Sequence, residues 1–248
     1  MNEQAVSKYD RSTFQSRGRP VFGTTLGIII LDTRFRRFNG DIGFAGSLQF
    51  PVQYAIAKGV ADGAKIKSDQ SSLQVFTKAI DELVAVGVDG IATSCGFLAV
   101  MQPQLQAYSP VPIATSSLLQ IPLIERILPA HKRVGILTAD AAALTEAHLW
   151  GAGVYSPAPV VGLPGDSTFL VNMRDGNTVI DRRTQELEVL AAVEELVSSH
   201  TDIGAILLEC TNLAPYSATI EARFGLPVYD IMTLLHWFYS GLRPRRYE

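Results

Sequence analysis

Short apolar segments alternate with amphipathic stretches along the chain from about residue 23 onward. The segments are rich in Ile, Val and Leu and are bounded by Gly, Pro or Asp, as is typical of parallel strands buried on both faces. They comprise residues 24–31, 90–94, 111–115, 133–138, 160–164, 204–209 and 226–230. The strand–helix–strand order predicts an α/β fold with mostly parallel sheets and right-handed crossovers.

Two of the amphipathic stretches, residues 71–87 and 181–199, place apolar side chains at helical spacing. The spacing in the first predicts a buried face made of Leu73, Phe76, Ile80 and Leu83. In the second, it predicts a buried face made of Leu187, Leu190, Val193 and Leu196.

The second half of the chain repeats the first at a constant offset of 115 residues. The offset pairs Cys95 with Cys210, and these are the only two cysteines. Other pairs at the same offset are Ile91 with Ile206, Leu98 with Leu213 and Pro112 with Pro227. A repeat of this length is too long for a solenoid. It indicates a duplication and predicts two similar α/β domains that face each other.

Both cysteines follow a predicted buried strand and precede a helical pattern. In open parallel sheets, ligands bind outside the carboxyl ends of the strands. Helix N-termini at that edge offer free N–H groups and positive potential. We expect this position to lower the pKa of a thiol and to make it a better base or nucleophile. If the domains face each other, the sulfur atoms of Cys95 and Cys210 should face each other across the cleft.

Two opposed thiols suit the inversion of a carbon centre. One thiolate removes a proton from one face of the carbon, and the other thiol returns a proton from the opposite face. The negative charge that develops needs hydrogen-bond donors. Candidate donors are the backbone N–H groups of Gly96, Phe97, Thr211 and Asn212. This chemistry requires no cofactor, and the sequence has neither a dinucleotide-binding glycine motif after the first strand nor a phosphate-binding loop.

Three motifs resemble the cofactor-independent aspartate/glutamate/hydantoin racemase superfamily over about residues 23–240. They are Asp32 in LDT after the first strand, Cys95 in TSCG and Cys210 in LECTN. The resemblance implies two pseudo-symmetric α/β domains with the active site in the cleft between them. It also implies that Cys95 and Cys210 are the catalytic pair.

The same resemblance places Asp32 and Thr33 beside the site and matches Thr211 to the threonine that follows the second cysteine in these enzymes. It implies a first lobe of residues 21–120 plus 231–248, in which the helix at 231–241 packs back on that lobe. The second lobe is residues 121–230. Residues 1–20 are expected to form an N-terminal arm.

The chain departs from the amino-acid racemases at both cysteines. Gly96 and Phe97 stand where those enzymes carry Asn-Thr, and Asn212 stands where they carry His or Glu. These changes argue against free glutamate or aspartate as substrate, and Phe97 suits a larger or less polar compound such as a hydantoin. We therefore expect a racemase or epimerase that acts beside a carboxylate or carbonyl of an amino acid or hydantoin-like compound.

Further candidate ligands lie at other predicted strand ends. Three arginines follow the first strand, and Arg34, the nearest to its end, is the candidate for gripping a substrate carboxylate. The hydroxyls of Thr115, Ser116 and Thr138 could bind carboxylate oxygens. Each also has a structural explanation: Asp32 could cap a turn, Arg34 could lie in a solvated loop, and the hydroxyls could cap helices.

Three alternatives remain open. A maleate-isomerase-like enzyme would use one cysteine as a nucleophile for cis–trans isomerisation. A two-lobed binding protein would use the same fold without chemistry, because a fold does not fix a function. The cysteines themselves could be small buried hydrophobes or a disulfide.

Composition narrows the classes of partner. With 248 residues, a net charge of -3 and only two cysteines, the chain has neither a bulk positive charge for nucleic acid nor a disulfide scaffold. The four histidines show no metal-ligand spacing. No apolar segment reaches the roughly 18 to 20 residues needed to span a bilayer, and the N-terminus lacks a signal-peptide core. We expect a cytoplasmic protein that binds a small carboxylate or hydantoin-like substrate, with a homo-oligomer left open.

Overall fold

The computed structural model describes residues 18–176 and 181–244. It contains two sheets, each of four parallel strands. The first sheet has the order β2-β1-β3-β4 and the second the order β6-β5-β7-β8. The strands are β1 Leu26–Leu31, β2 Val52–Ala57, β3 Gly90–Thr93, β4 Ile113–Ala114, β5 Arg133–Thr138, β6 Val160–Gly162, β7 Ile203–Leu208 and β8 Val228–Tyr229.

Eight α-helices in the described residues connect and flank these strands. They are α1 Gln70–Val86, α2 Gln102–Tyr108, α3 Ile121–Ile127, α4 Glu146–Gly151, α5 Thr168–Asp175, α6 Arg182–Ser199, α7 Ser217–Phe224 and α8 Ile231–Leu242. Their ends follow local sequence signals. The Asp69 carboxylate accepts from the Ser72 N–H at the start of α1, and Gly87, with φ 100°, ends that helix in a left-handed conformation.

The predicted fold class is confirmed, because the two sheets have the same strand order and both are flanked by helices. The strands of the first sheet lie between residues 26 and 114, and those of the second between residues 133 and 229. Helix α8 packs against the first sheet, where the missing side chain of Gly90 leaves room for Phe238 and Leu242. Most of the predicted N-terminal arm, residues 1–17, lies outside the described residues.

Two elements differ from the sequence expectation. Strand β2 was not predicted; it pairs only with β1, at the edge of its sheet, and leaves Tyr54 and Ile56 exposed. In α6 the prediction that Leu187 is buried is wrong, since this side chain is 52% exposed. A polar residue takes a place on the buried face instead: Gln185 accepts a hydrogen bond of 2.7 Å from the Tyr216 hydroxyl.

The two lobes are joined by buried hydrogen bonds between their strand ends. The Thr211 hydroxyl donates to the Ser94 carbonyl (2.8 Å), and the Ser117 hydroxyl donates to the Leu208 carbonyl (2.7 Å). The carboxyl ends of β3 and β7 therefore meet in the interior. Within the described ranges, no helix has the length and apolar character needed to cross a membrane.

Candidate active site

The two cysteines occupy equivalent places in the two sheets. Cys95 follows β3 and immediately precedes a 3-10 helix, Gly96–Met101. Cys210 follows β7 after one intervening residue and immediately precedes a 3-10 helix, Thr211–Tyr216. Both thiols are free and buried. Cys95 packs in the core of the first sheet with Phe97 and Leu98, and Cys210 packs in the core of the second sheet with Leu213 and Tyr216. That the two sulfur atoms face each other stays a prediction.

The expectation of thiols with a lowered pKa is wrong. Burial, reinforced by the carboxylate of Glu209, raises the pKa of Cys95 to about 12. The same two causes raise the pKa of Cys210 well above its usual value. Backbone N–H groups at the start of each 3-10 helix act in the opposite direction, but they do not compensate for the loss of water around a charged sulfur.

Glu209 is the functional candidate that the sequence patterns missed. Its Oε2 accepts a hydrogen bond of 2.6 Å from the Thr138 hydroxyl, while Oε1 has no hydrogen-bond partner in the described part of the chain. The residue is fully buried, and burial raises the pKa of its carboxyl to about 7, against the lowering effect of Thr138. An acidic residue at the end of the apolar run GAILLE, directly before a cysteine, was the available signal.

Replacing Glu209 by Gln should stabilise the folded protein at pH 8. A carboxyl whose pKa is raised in the folded state binds its proton more tightly there than in the unfolded state. Its contribution to the free energy of unfolding is therefore fully present below pH 4.5 and is lost as the pH rises through about 7. The difference between the two pKa values corresponds to at most about 3 kcal/mol in the free energy of unfolding. Urea unfolding at pH 5 and pH 8 measures the change, with the exposed Glu221→Gln as control. A Glu209→Gln protein that is less stable than wild type at pH 8 would contradict this assignment.

Two glycines allow the close packing around these groups. A Cβ on Gly63 would overlap the Sγ of Cys95, so the backbone of the Gly63–Lys65 turn lies directly on that sulfur. A Cβ on Gly96 would overlap the Oε1 and the carbonyl oxygen of Glu209. Phe97 is buried beside them, with its ring centroid 5.4 Å from that of His148. The site is therefore tightly closed around Cys95.

A polar network surrounds the second cysteine. The Cys210 thiol lies 3.7 Å from Oδ1 of Asn212, and the Asn212 amide donates to the Asp41 carboxylate. Asp41 is paired with Arg37 at 2.8 Å, and Arg37 also donates to the Thr33 hydroxyl at 2.8 Å. Arg37, Asp41 and Asn212 line part of a narrow crevice. Thr33 and Asn212, both predicted site residues, are thus brought into one network.

Asp32 and Arg34 lie farther out. The Asp32 carboxylate accepts from the Gly59 N–H at 3.1 Å and pairs with Arg34 at 2.7 Å. The Gly59 hydrogen bond, together with Arg34, holds the pKa of Asp32 below its usual value. The Arg34 side chain is 75% exposed, whereas that of Arg37 is 12% exposed. Arg37, rather than the favoured Arg34, is the buried cation on this side of the site.

The predicted hydroxyl ligands all have partners within the protein. Thr115 donates to Oε1 of Gln102 at 2.7 Å, and Ser116 caps the next helical turn by accepting from the Leu118 N–H. Thr138 donates to Glu209, and Thr211 joins the two lobes. Contact of these hydroxyls, or of the Gly96 and Phe97 N–H groups, with a substrate stays a prediction.

Comparison with curated proteins relates the chain to enzymes. It is 27% identical to a dimethylsulfoniopropionate lyase of Durusdinium sp. clade D over 96% of this chain and 83% of that protein. It is 31% identical to dimethylsulfoniopropionate lyase 7 of Emiliania huxleyi over 88% of this chain and 67% of that protein. The chain belongs to the dimethylsulfoniopropionate lyase family. No model in the scan of protein families matches it.

Solved structures place this member of the dimethylsulfoniopropionate lyase family in the predicted racemase superfamily fold. A sulfate-bound variant of arylmalonate decarboxylase matches with a TM-score of 0.61 at 17% identity, over 88% of this chain and 92% of that chain. Allantoin racemase from Klebsiella pneumoniae matches with a TM-score of 0.58 at 16% identity, over 89% of this chain and 87% of that chain. At such identities the likeness shows the fold alone.

Membership of the dimethylsulfoniopropionate lyase family corrects the predicted function. The protein is an enzyme, but the prediction of a racemase or epimerase is wrong, because the curated relatives are lyases. The same relatives argue against the maleate-isomerase-like enzyme and the non-catalytic binding protein. The error has a chemical cause: a thiol base beside a carboxylate serves both racemisation and elimination, and the motifs at the two cysteines do not distinguish them.

Proposed function

We propose that this enzyme cleaves dimethylsulfoniopropionate by β-elimination. In this compound the carbon next to the carboxylate carries the acidic proton, and the following carbon carries the positively charged dimethylsulfonium group. A base removes the proton, the electron pair of the C–H bond forms the double bond, and the C–S bond breaks with its electrons moving to sulfur. The products are dimethyl sulfide, acrylate and one proton.

The observation that carries this proposal is the pair of buried thiols at equivalent strand ends of a chain in this family. Elimination needs one base and, since neutral dimethyl sulfide leaves without protonation, no acid for the leaving group. Cys95 and Cys210 therefore need not have equivalent roles, whereas in a two-base racemase each cysteine transfers a proton. The asymmetry of the surroundings decides which thiol acts as the base.

We assign the role of base to Cys95, because its surroundings favour the formation of its thiolate more than those of Cys210 do. Backbone N–H groups of Phe97 and Leu98 both favour its thiolate, whereas Cys210 has one such donor, from Asn212. Cys210 also faces more negative groups, since Glu209, Cys95 and Asp41 all raise its pKa. Cys95 therefore removes the substrate proton, and Cys210 stays a neutral thiol that faces the substrate from the second lobe.

Arg37 is the cation suited to the substrate carboxylate. It is largely buried, lines the crevice beside Asn212, and already binds one carboxylate, that of Asp41. The sequence expectation of a small carboxylate as partner is consistent with this arrangement and with the carboxylate of dimethylsulfoniopropionate.

Product formation tests the proposal. We expect the purified protein to release dimethyl sulfide into the headspace, measured by gas chromatography, together with an equal amount of acrylate, measured by NMR. Deuterium on the carbon next to the carboxylate should slow the reaction if C–H cleavage limits it. The matched control is 3-(methylthio)propionate, which keeps the carboxylate and the acidic proton but lacks the sulfonium leaving group. No dimethyl sulfide above the level of a Cys95→Ser protein would overturn the proposal.

A further inference from the structure

We propose that residues 60–67 form a lid that covers the sulfur atom of Cys95 and opens as one unit to admit the substrate. The inference rests on the proposed elimination, in which Cys95 takes a proton directly from the substrate. It adds to that proposal the route by which the substrate reaches the base.

The lid lies directly on the sulfur atom that it would uncover. A Cβ at Gly63, in the middle of the lid, would overlap the Sγ of Cys95. The remaining surroundings of Cys95 are the apolar core of the first sheet, and the residue is only 7% exposed. A base must come within contact distance of the proton that it removes. Proton transfer from a substrate carbon to this enclosed sulfur atom therefore requires the lid to move.

The hydrogen bonds of the lid allow it to move as a unit. The Asp62 carboxylate accepts from the Ala64 N–H at 3.0 Å and pairs with the Lys65 ammonium at 3.1 Å. The Ile66 N–H donates to the Gly63 carbonyl at 3.1 Å. Among the residues that the structure describes, the hydrogen bonds of residues 61–67 all stay within the lid. Opening therefore breaks none of them.

Few contacts hold the two ends of the lid. At its start, the Asp32 N–H donates to the Val60 carbonyl at 2.8 Å, and the Asp32 carboxylate accepts from the Gly59 N–H at 3.1 Å. Gly59 itself has a φ of 80°, a left-handed conformation that suits a hinge. Beyond its end, the Gln104 amide donates to the Ser68 hydroxyl at 2.7 Å. These contacts attach the lid at its ends and leave its middle free of polar links to the rest of the described chain.

Two apolar side chains, those of Val60 and Ile66, pack the lid against the core around Cys95. The other side chains of the lid are small or charged and exposed: Ala61, Asp62, Ala64, Lys65 and Lys67. Segments with few buried apolar contacts open at low cost while the rest of the protein stays folded. The lid has this composition, whereas the strands on either side of Cys95 do not.

Open space lies on the outer side of the lid. Val60, Asp62 and Ile66 line an open crevice together with Ser72 and Phe76 of α1. The lid can therefore swing towards this crevice. The other neighbour of Cys95 has no such freedom, because a Cβ at Gly96 would overlap the main-chain carbonyl of the second lobe. The lid side is thus the side from which the sulfur atom can be uncovered.

Thiol labelling tests the lid independently of the reaction. In a Cys210→Ser protein Cys95 is the only thiol, and DTNB can reach it only when its sulfur atom is uncovered. We expect labelling in native buffer to be much faster than global unfolding, whose rate is extrapolated from urea. Ile66→Ala weakens an apolar contact that exists only in the closed state, and it should speed labelling at least tenfold. The matched control is Val84→Ala, which shortens a side chain packed against the same core cluster from α1 and should change labelling less than twofold.

Labelling of Cys95 at the rate of global unfolding, or equal acceleration by Ile66→Ala and Val84→Ala, would overturn the lid. If Ile66→Ala does not fold, Asp32→Ala takes its place, because it removes the acceptor of the Gly59 N–H; it should speed labelling at least threefold, and an unchanged rate would count against the lid. A wild-type protein that forms no dimethyl sulfide would overturn the proposed elimination and leave the labelling result valid. Dimethyl sulfide formation by a protein whose Cys95 is labelled only on global unfolding would overturn the lid alone.

Discussion

Cys95→Ser will lose almost all dimethyl sulfide formation, whereas Cys210→Ser will keep a measurable part of it. A serine hydroxyl is far too weak an acid to supply the base, so the loss at Cys95 is the full contribution of general-base catalysis, roughly 10²- to 10⁴-fold in kcat/KM. Cys210 neither gives nor takes up a proton in the proposed elimination. Its replacement changes packing and the charge around Cys95, for which we expect a loss of no more than about tenfold.

The measurement is the initial rate of dimethyl sulfide release for the two variants and the wild type under saturating and limiting substrate. Both substitutions replace sulfur with oxygen in a buried site, so thermal unfolding should accompany the rates to show that each variant is folded. Equal losses at Cys95 and Cys210 would contradict the one-base assignment, and a larger loss at Cys210 would move the base to the second lobe.

Much of the fold was predictable because buried parallel strands carry an unmistakable local pattern. Seven of the eight described strands coincide with short apolar runs bounded by Gly, Pro or Asp. Strand β2 was not predicted because an edge strand is partly open to solvent and mixes polar with apolar residues, as in VQYAIA. Leu187 was predicted to be buried because helical periodicity considers only apolar residues. It does not detect that Gln185 can be buried when the Tyr216 hydroxyl donates a hydrogen bond to it.

The cysteine pair was predictable for a different reason, since the repeat places Cys95 and Cys210 at equivalent strand ends without any knowledge of the fold. Glu209 was not, because its importance lies in burial and in contact with Gly96 across the lobes, which are properties of the folded chain. The substrate was beyond the sequence patterns. Yet the same repeat held a clue, since it aligns Glu209 with Ser94 and so breaks the symmetry that a two-base mechanism implies.

Gly96→Ala will destabilise the protein strongly and reduce catalysis with it. The added methyl group would overlap both the carboxyl and the main-chain carbonyl of Glu209. A side chain can turn away, but the carbonyl belongs to the chain that links β7 to Cys210 and cannot move without shifting the second cysteine. Overpacking of this kind costs about 3 kcal/mol at the upper end of its usual range, which lowers Tm by roughly 6 to 12 °C in a chain of this size.

The matched control is Gly165→Ala, because a Cβ there meets nothing within 4 Å and the glycine does not have a positive φ. We expect its Tm and its rate to stay at wild-type values. The double variant Gly96→Ala/Glu209→Ala separates the two clashes: removal of the carboxyl should restore part of the lost Tm, and the remaining loss is due to the carbonyl. A Gly96→Ala protein with the Tm of wild type would mean that the lobes can move apart at this contact, and Glu209 would then no longer be held against Gly96.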